Sequence, residues 1–221
     1  MTREQEHEPI RIMPIRPDHV PQAADALARA YHGEGFTNYL VDLSTPEGRE
    51  RFAHLIRVGI EAQRQQGEMI LVALVDNEPA GVAIVSGLER QAQVSLWAQL
   101  RWMLPHVPRM LRLLRQIRWR RLPTALRVKR MPRHVRRGYH MLVMLAVAPE
   151  RQGQGVGTRL LEAVRALAQQ DPRTEGVYLL TVGEDNRHFY ERSGYQVLSR
   201  VEGAPELVVY HMILPLDATA N

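Results

Sequence analysis

The sequence predicts a single α/β domain, and three observations carry that reading. Segments with the period of a strand alternate along the chain with segments of helical period, the order expected of a sheet covered by helices. The composition, 45% hydrophobic and 24% charged over 221 residues, is that of a globular chain able to bury a full core without staples. A glycine-rich turn, Gln152-Gly153-Gln154-Gly155-Val156-Gly157, joins an apolar strand pattern to an amphipathic helix pattern.

The elements follow in order. Residues 1–9 form a polar, acidic tail, and alternation from Ile10 to Arg16 predicts a first strand. Asp18 and Pro21 open a helix from Val20 to His32, ended by His32-Gly33-Glu34-Gly35. A second helix is expected from Pro46 to Gln66, with Thr45 as N-cap and Gly67 as stop. Met69–Asp76 and Ala80–Leu88 read as a hairpin separated by Asn77-Glu78-Pro79. From Gln91 to Arg121 the period is helical: Leu96, Leu100, Met103, Val107, Met110, Leu114 and Ile117 share a face, and Pro105 and Pro108 divide the stretch into two helices. Leu122 to Gly138 reads as a loop, because proline and arginine interrupt any apolar period.

Tyr139–Val147 is a buried strand, followed by a helix over Val156–Gln170 with apolar residues at 156, 160, 161, 164 and 167. A strand at Gly176–Val182, a short helix at Asp185–Arg192 stopped by Gly194, and strands at Tyr195–Val201 and Leu207–Leu214 complete the chain. The domain therefore spans residues 10–221, with a basic helical insertion at about 89–138.

The formal charge of +5 is unevenly placed. Arg90 to Arg137 hold 14 basic residues and no acidic one, leaving 15 basic against 24 acidic residues elsewhere. Arg101, Arg109, Arg112, Arg115, Arg118, Arg120 and Arg121 lie mostly off the apolar face, with Trp97, Trp102 and Trp119 among them. Such a segment, over about 101–137, can meet an anionic membrane, a nucleic acid or an acidic partner. It can equally pack on the domain and leave its arginines solvated or paired. The absence of cysteine excludes disulfides, thiolate metal sites and a cysteine nucleophile. The nine histidines show no clustered ligand spacing, so no metal is expected. No run approaches the roughly 20 apolar residues of a membrane span, and no signal-peptide pattern opens the chain; cytoplasmic residence is the default expectation.

The glycine turn carries the chemistry. Glycines at alternate positions let a ligand approach the backbone, and the first turn of the following helix offers N–H groups and a favourable dipole to an anion. A nucleotide P-loop would need Gly-Lys-Ser/Thr, and Gly157-Thr158 lacks the lysine. A dinucleotide fold would need G-x-G-x-x-G, and the spacing here is G-x-G-x-G. Coenzyme A and a purely structural turn remain.

Gln152-x-x-Gly155-x-Gly157 after Leu145-Ala146-Val147-Ala148-Pro149 resembles the acetyl-CoA signature of the GNAT superfamily of N-acetyltransferases. Asn186-Arg187-His188-Phe189-Tyr190-Glu191-Arg192-Ser193-Gly194-Tyr195 is similar to that superfamily's second signature, and the strong resemblance covers Tyr139 to Val201. A weaker likeness is to puromycin-type N-acetyltransferases. The resemblance implies a central mixed, mostly antiparallel sheet with splayed central strands, and transfer of an acetyl group from acetyl-CoA, as co-substrate, to a primary amine of a small molecule or peptide. It assigns Leu145, Ala146 and Val147 to the pantetheine arm, and Gln152, Gly153, Gln154, Gly155, Val156, Gly157 and Thr158 to the pyrophosphate. Asn186 falls to the pantetheine, and Tyr190 to the neighbourhood of the thioester sulfur.

Acyl transfer needs a deprotonated amine, a stabilised oxyanion and a leaving thiolate. Amines titrate near ~10 and thiols near ~8.5, so activating the amine is the harder task. Tyr190 is the candidate general acid toward the thiolate, and a backbone N–H such as that of Leu145 is the candidate oxyanion donor. Tyr139–Val147 holds no carboxylate, and Leu180 stands about where puromycin-type relatives carry an acidic residue. His140, Glu34, His32 and Glu184 remain as proton acceptors. The competing reading is a non-catalytic CoA sensor docking through its arginine segment on membrane or nucleic acid. A homodimer is left open.

Overall fold

The computed structural model describes residues 9–31, 35–88, 117–132 and 135–216. Residues 1–8 of the expected tail (1–9), most of the two helices expected between Gln91 and Arg121, and both His32 and Glu34 lie outside the described residues.

Seven strands form one sheet in the order β1-β2-β3-β4-β5-β7-β6. They are β1 (Arg11–Pro14), β2 (Met69–Val75), β3 (Glu78–Ser86), β4 (Tyr139–Val147), β5 (Gly176–Val182), β6 (Gln196–Ala204) and β7 (Leu207–Pro215). Only β4 and β5 pair in parallel; every other neighbouring pair is antiparallel. The helices are α1 (Val20–Tyr31), α2 (Gly35–Leu40), α3 (Pro46–Gln65), α4 (Leu122–Val128), α5 (Val135–Gly138), α6 (Val156–Ala168) and α7 (Glu184–Arg192).

The strands β2 and β3 read as nearly unbroken apolar runs because both faces of the sheet are covered. One face packs Ala73, Ala83, Val85, Leu142, Val177, Leu179 and Met212 against α6 through Val156, Leu160, Leu161 and Val164. On the other, Ile70, Val72, Leu74, Val82 and Ile84 pack against Ala23, Ala24 and Leu27 of α1 and Ile60 of α3. The same face continues under α2 and α4, where Tyr39, Ala125 and Val128 meet Val182, Leu207 and Val209. Thr45 caps α3 by accepting from the Gly48 N–H at 3.1 Å, and Gly67 leaves the helix at φ 72.

Three elements depart from the sequence reading. The hairpin turn is Asp76-Asn77, both at positive φ (54 and 62), the primed geometry that matches strand twist. Glu78 and Pro79 belong to β3, where a register shift at Ala73/Leu74 accommodates the proline. α2 stands where only a break was expected. The predicted loop over Leu122–Gly138 is corrected to α4 and α5. Proline is tolerated in the first turn of α4, and its buried Ala125 and Val128 supply an inner face. A buried chain fixes α4 further: the Tyr178 hydroxyl lies 2.6 Å from His211 Nδ1, and His211 Nε2 lies 2.9 Å from the Val128 carbonyl.

Candidate active site

β4 and β5 pair only through Tyr139↔Gly176, His140↔Val177 and Met141↔Tyr178. Beyond Met141 the two central strands diverge, while β4 stays paired to β3 as far as Val147. A register shift places Met144 opposite Ile84 and Leu142 opposite Val85, so Val143 is an extra residue in β4 and is 40% exposed. From Leu142 to Val147 one edge of β4 therefore faces a gap in the sheet.

The chain leaves β4 through a 3-10 turn, Pro149–Arg151, and enters the glycine turn. Gly153 (φ 75) and Gly155 (φ 82) occupy the left-handed region, with open space where a Cβ would stand. Gly157 has a different reason to be glycine: a Cβ there would lie 3.1 Å from Phe189 Cζ. The expectation that all three glycines admit a ligand is thus refined, since two set the turn and the third lets α7 approach α6. Gly155 is the N-cap of α6, and no side chain caps that helix. The first-turn N–H groups have no acceptor within the helix, and its dipole adds partial positive charge at the same place.

Side chains staple the turn to its surroundings. Gln152 Nε2 donates to the Val147 carbonyl at 3.1 Å, and Gln154 Nε2 to the Glu150 carbonyl at 3.0 Å. Arg151 pairs with Asp76 of the hairpin turn, and Glu150 with Arg29 of α1, each at 2.8 Å.

A cleft of about 780 Å³ opens over this junction. Leu145, Ala146 and Val147 line it from β4, and Gln152, Gly153, Gly155, Val156, Gly157 and Thr158 from the turn and α6. Asn186 and Tyr190 line it from α7. Every residue expected to hold cofactor is thus brought to one cleft except Gln154, which does not line it. Sequence reasoning missed Ala30, Tyr31, Arg151, Phe189, Arg192 and Ser193. Four of these sit within or beside the two motifs, whereas Ala30 and Tyr31 reach the cleft through the packing of α1 and carry no local signal.

α7 is held firmly. Asn186 Nδ2 donates to the Val182 carbonyl at 2.9 Å, and Arg187 pairs with Glu184 at 2.7 Å and Glu191 at 2.6 Å. The Tyr190 ring packs edge-on between Phe189 (5.2 Å) and Tyr195 (5.6 Å). Tyr195 is buried, which pushes its phenol up and keeps it neutral.

The proton acceptors proposed from sequence fare differently. His140 is buried near the start of β4, five residues and roughly 16 Å of strand from Leu145. Its Nε2 lies 3.4 Å from Asp171, whose carboxyl is held at about 2, chiefly by hydrogen bonds from the Arg173 side chain. That places His140 away from the cleft. Glu184 accepts from the Tyr210 hydroxyl and from Arg187, which hold its carboxyl below the usual range. A carboxylate so engaged is a weak base. Leu180 packs with the apolar cluster under α2. Among the described residues no group of histidine, aspartate and glutamate side chains is arranged to hold a metal ion, and no helix is long and apolar enough to cross a membrane.

Residues 125–197 match the family model of the acetyltransferase (GNAT) domain. Over that third of the chain the sequence is similar to the GNAT acetyltransferase family. The match runs from α4 to the start of β6 and contains every residue lining the cleft except Ala30 and Tyr31. A search of curated protein sequences gives no match. Among solved structures, the chain is similar to a Corynebacterium glutamicum protein described as histone acetyltransferase HPA2 and related acetyltransferase, with 19% identity, TM-score 0.66, and coverage of 93% of this chain and 96% of that one. A GCN5-related N-acetyltransferase from Rhodopseudomonas palustris is 19% identical at TM-score 0.52, covering 95% and 98% of the two chains. An aminoglycoside acetyltransferase in complex with coenzyme A is 14% identical at TM-score 0.56, covering 95% and 96%. At these identities the likeness is one of fold.

Proposed function

We propose that this protein transfers the acetyl group of acetyl-CoA to a primary amine of a small molecule or peptide by direct attack on the thioester. The observation that carries this reading is the meeting, in one cleft, of a strand edge opened by the splay with an uncapped helix N-terminus behind two left-handed glycines. The first suits an amide-bearing arm and the second a pyrophosphate. The cleft volume falls in the range of small-ligand sites. The coenzyme A held by the similarly folded aminoglycoside acetyltransferase supports the same ligand here.

In this reading the backbone of Leu145, Ala146 and Val147 binds the pantetheine. The backbone N–H groups from Gln152 to Thr158, those of Gly153, Gln154, Gly155, Val156 and Gly157 included, bind the pyrophosphate. Asn186 orients the pantetheine through its amide, which one Nδ2–H bond to the Val182 carbonyl holds in place. Acetyl-CoA supplies an acetyl group already activated as a thioester. The amine enters in its neutral form; as its nitrogen bonds to the acetyl carbon and the carbon–sulfur bond breaks, the Tyr190 hydroxyl gives its proton to the departing sulfur, and the proton shed by the nitrogen restores the Tyr190 hydroxyl, leaving an amide and the free thiol of coenzyme A. The Leu145 N–H takes the charge developing on the acetyl oxygen. Holding both reactants in the cleft supplies the rest of the acceleration.

The test couples binding to turnover. Saturating acetyl-CoA should raise the unfolding temperature, and release of free thiol over an amine panel of antibiotics, polyamines and peptide N-termini should identify the acceptor. Tyr190→Phe should keep the thermal shift and lose turnover by about 10²-fold, the scale of one positioned general acid. A thermal shift without thiol release on any amine would favour a CoA-sensing domain, and no shift would overturn the cofactor assignment.

A further inference from the structure

The described part of the basic insertion has two faces with different fates. Ala125 and Val128 of α4 are buried, Val128 gives its carbonyl to His211, and a Cβ on Gly203 would lie 2.8 Å from Val128 Cγ1. The inner face is therefore seated on β6 and β7. Pro123 and Leu126 of α4 fall on the opposite side, and Trp119 stands in the 3-10 turn Trp119–Arg121 that leads into the helix. Trp119 is 53% exposed and Leu126 is 64% exposed.

The charges around them divide in the same way. Residues 117–132 contain six basic residues and no acidic one. Arg118 pairs with Asp42 and Arg121 with Glu206, so these two serve the domain's own acidic body. Lys129 lies 3.8 Å over the Phe36 ring. Arg120, Arg127 and Arg130 are exposed and make no ion pair among the described residues. An exposed tryptophan and leucine ringed by unpaired arginines gain little from water. They match an interface whose outer layer is anionic and whose next layer is hydrocarbon.

We propose that this outer face, with Trp119, Pro123 and Leu126 at its centre and Arg120, Arg127 and Arg130 around them, docks the protein on an anionic lipid bilayer. A nucleic-acid backbone would satisfy the arginines and leave Leu126 without a partner, so the lipid surface is the better match. Docking here leaves the cleft free, because no residue of this face lines it.

The test uses the full chain in sedimentation with vesicles of phosphatidylcholine containing phosphatidylglycerol, against vesicles of phosphatidylcholine alone. Binding is expected on the anionic vesicles only, and should weaken as salt rises. Replacing Arg120, Arg127 and Arg130 together by alanine should lower the partition coefficient by about fivefold per residue, on the order of 100-fold in all. Trp119→Ala with Leu126→Ser should cost about tenfold or more through lost apolar burial. Unfolding temperatures of both variants should match the unmodified protein, since the altered side chains are exposed. Undiminished binding by either folded variant, equal binding to neutral vesicles, or binding to duplex DNA without binding to anionic vesicles would each overturn the proposal.

Discussion

Tyr178→Phe tests how α4 is tied to the sheet. A carbonyl only accepts, so His211 Nε2 must carry the proton that it donates to Val128. Nδ1 is then the acceptor, and the Tyr178 hydroxyl donates to it. Both side chains are fully buried, and burial pushes the Tyr178 phenol up and the His211 imidazole down, so both stay neutral. Removing the hydroxyl leaves Nδ1 unpaired in apolar surroundings, at about 1–3 kcal/mol. For a chain of this size each kcal/mol moves the unfolding temperature by about 2–4 °C, so a fall of about 2–12 °C is expected. The pH dependence has a definite sign. The folded His211 binds its proton less readily than an unfolded histidine near ~6.5, so its contribution is complete above that pH and is lost as pH falls toward the depressed folded value. The slope from this one group reaches at most about 1.4 kcal/mol per pH unit. Thermal unfolding at about pH 7.5 and about pH 5.5, on either side of the unfolded histidine, should show His211→Gln losing less on acidification than the unmodified protein. An unfolding temperature unchanged in Tyr178→Phe, or an identical pH dependence in His211→Gln, would refute the tautomer and the tie.

Gly155→Val places a β-branched residue at φ 82, a strain of about 1–3 kcal/mol, and should abolish the thermal shift with acetyl-CoA; an undiminished shift would count against the turn as the pyrophosphate site. Gly157→Val should push Phe189 out of place and destabilise by about 1–3 kcal/mol, read by denaturant unfolding. Thr45→Ala removes the α3 cap and should cost about 1 kcal/mol in the same assay while leaving acetyl-CoA binding intact.

The stretch from β4 to β6 was legible because its grammar is local. An apolar strand, glycines that must take positive φ, an amphipathic helix, a second apolar strand and a short helix stopped by Gly194 each announce themselves within a few residues. The hairpin was legible in kind but displaced by two residues, because Pro79 reads as a breaker and in fact sits beside a bulge. α2 and α4 were not legible. Phe36, Tyr39 and Leu40 have helical spacing, but six residues that begin on Gly35 carry too little signal, and Pro123 and Arg127 disguise α4. Isolated helices of that length do not hold in water. Their stability is tertiary, and a single sequence does not display tertiary partners.

Those partners explain why the insertion matters to the domain as well as to its surroundings. Arg118 Nη1 donates to the Asn38 carbonyl at 2.6 Å across a separation of 80 residues, and Arg121 Nη1 donates to the Tyr39 carbonyl at 3.3 Å. The Arg121 guanidinium also lies 4.7 Å over the Tyr39 ring, and Ile117 bridges to Val41. The C-terminal half of α2 is thus gripped by the start of the same segment whose outer face carries Trp119 and Leu126. Its first residue, Gly35, packs so closely on Val182 that a Cβ would lie 3.0 Å from Cγ1, and Asn186 at the cleft bonds the Val182 carbonyl. The wall assigned to acetyl-CoA is made mostly of neighbours in sequence, so its chemistry is written in two motifs. α2 beside it is held in place by arginines from another part of the chain, and the mixed charge of the sequence resolves accordingly: the inward arginines build the domain, and the outward ones remain to meet a surface.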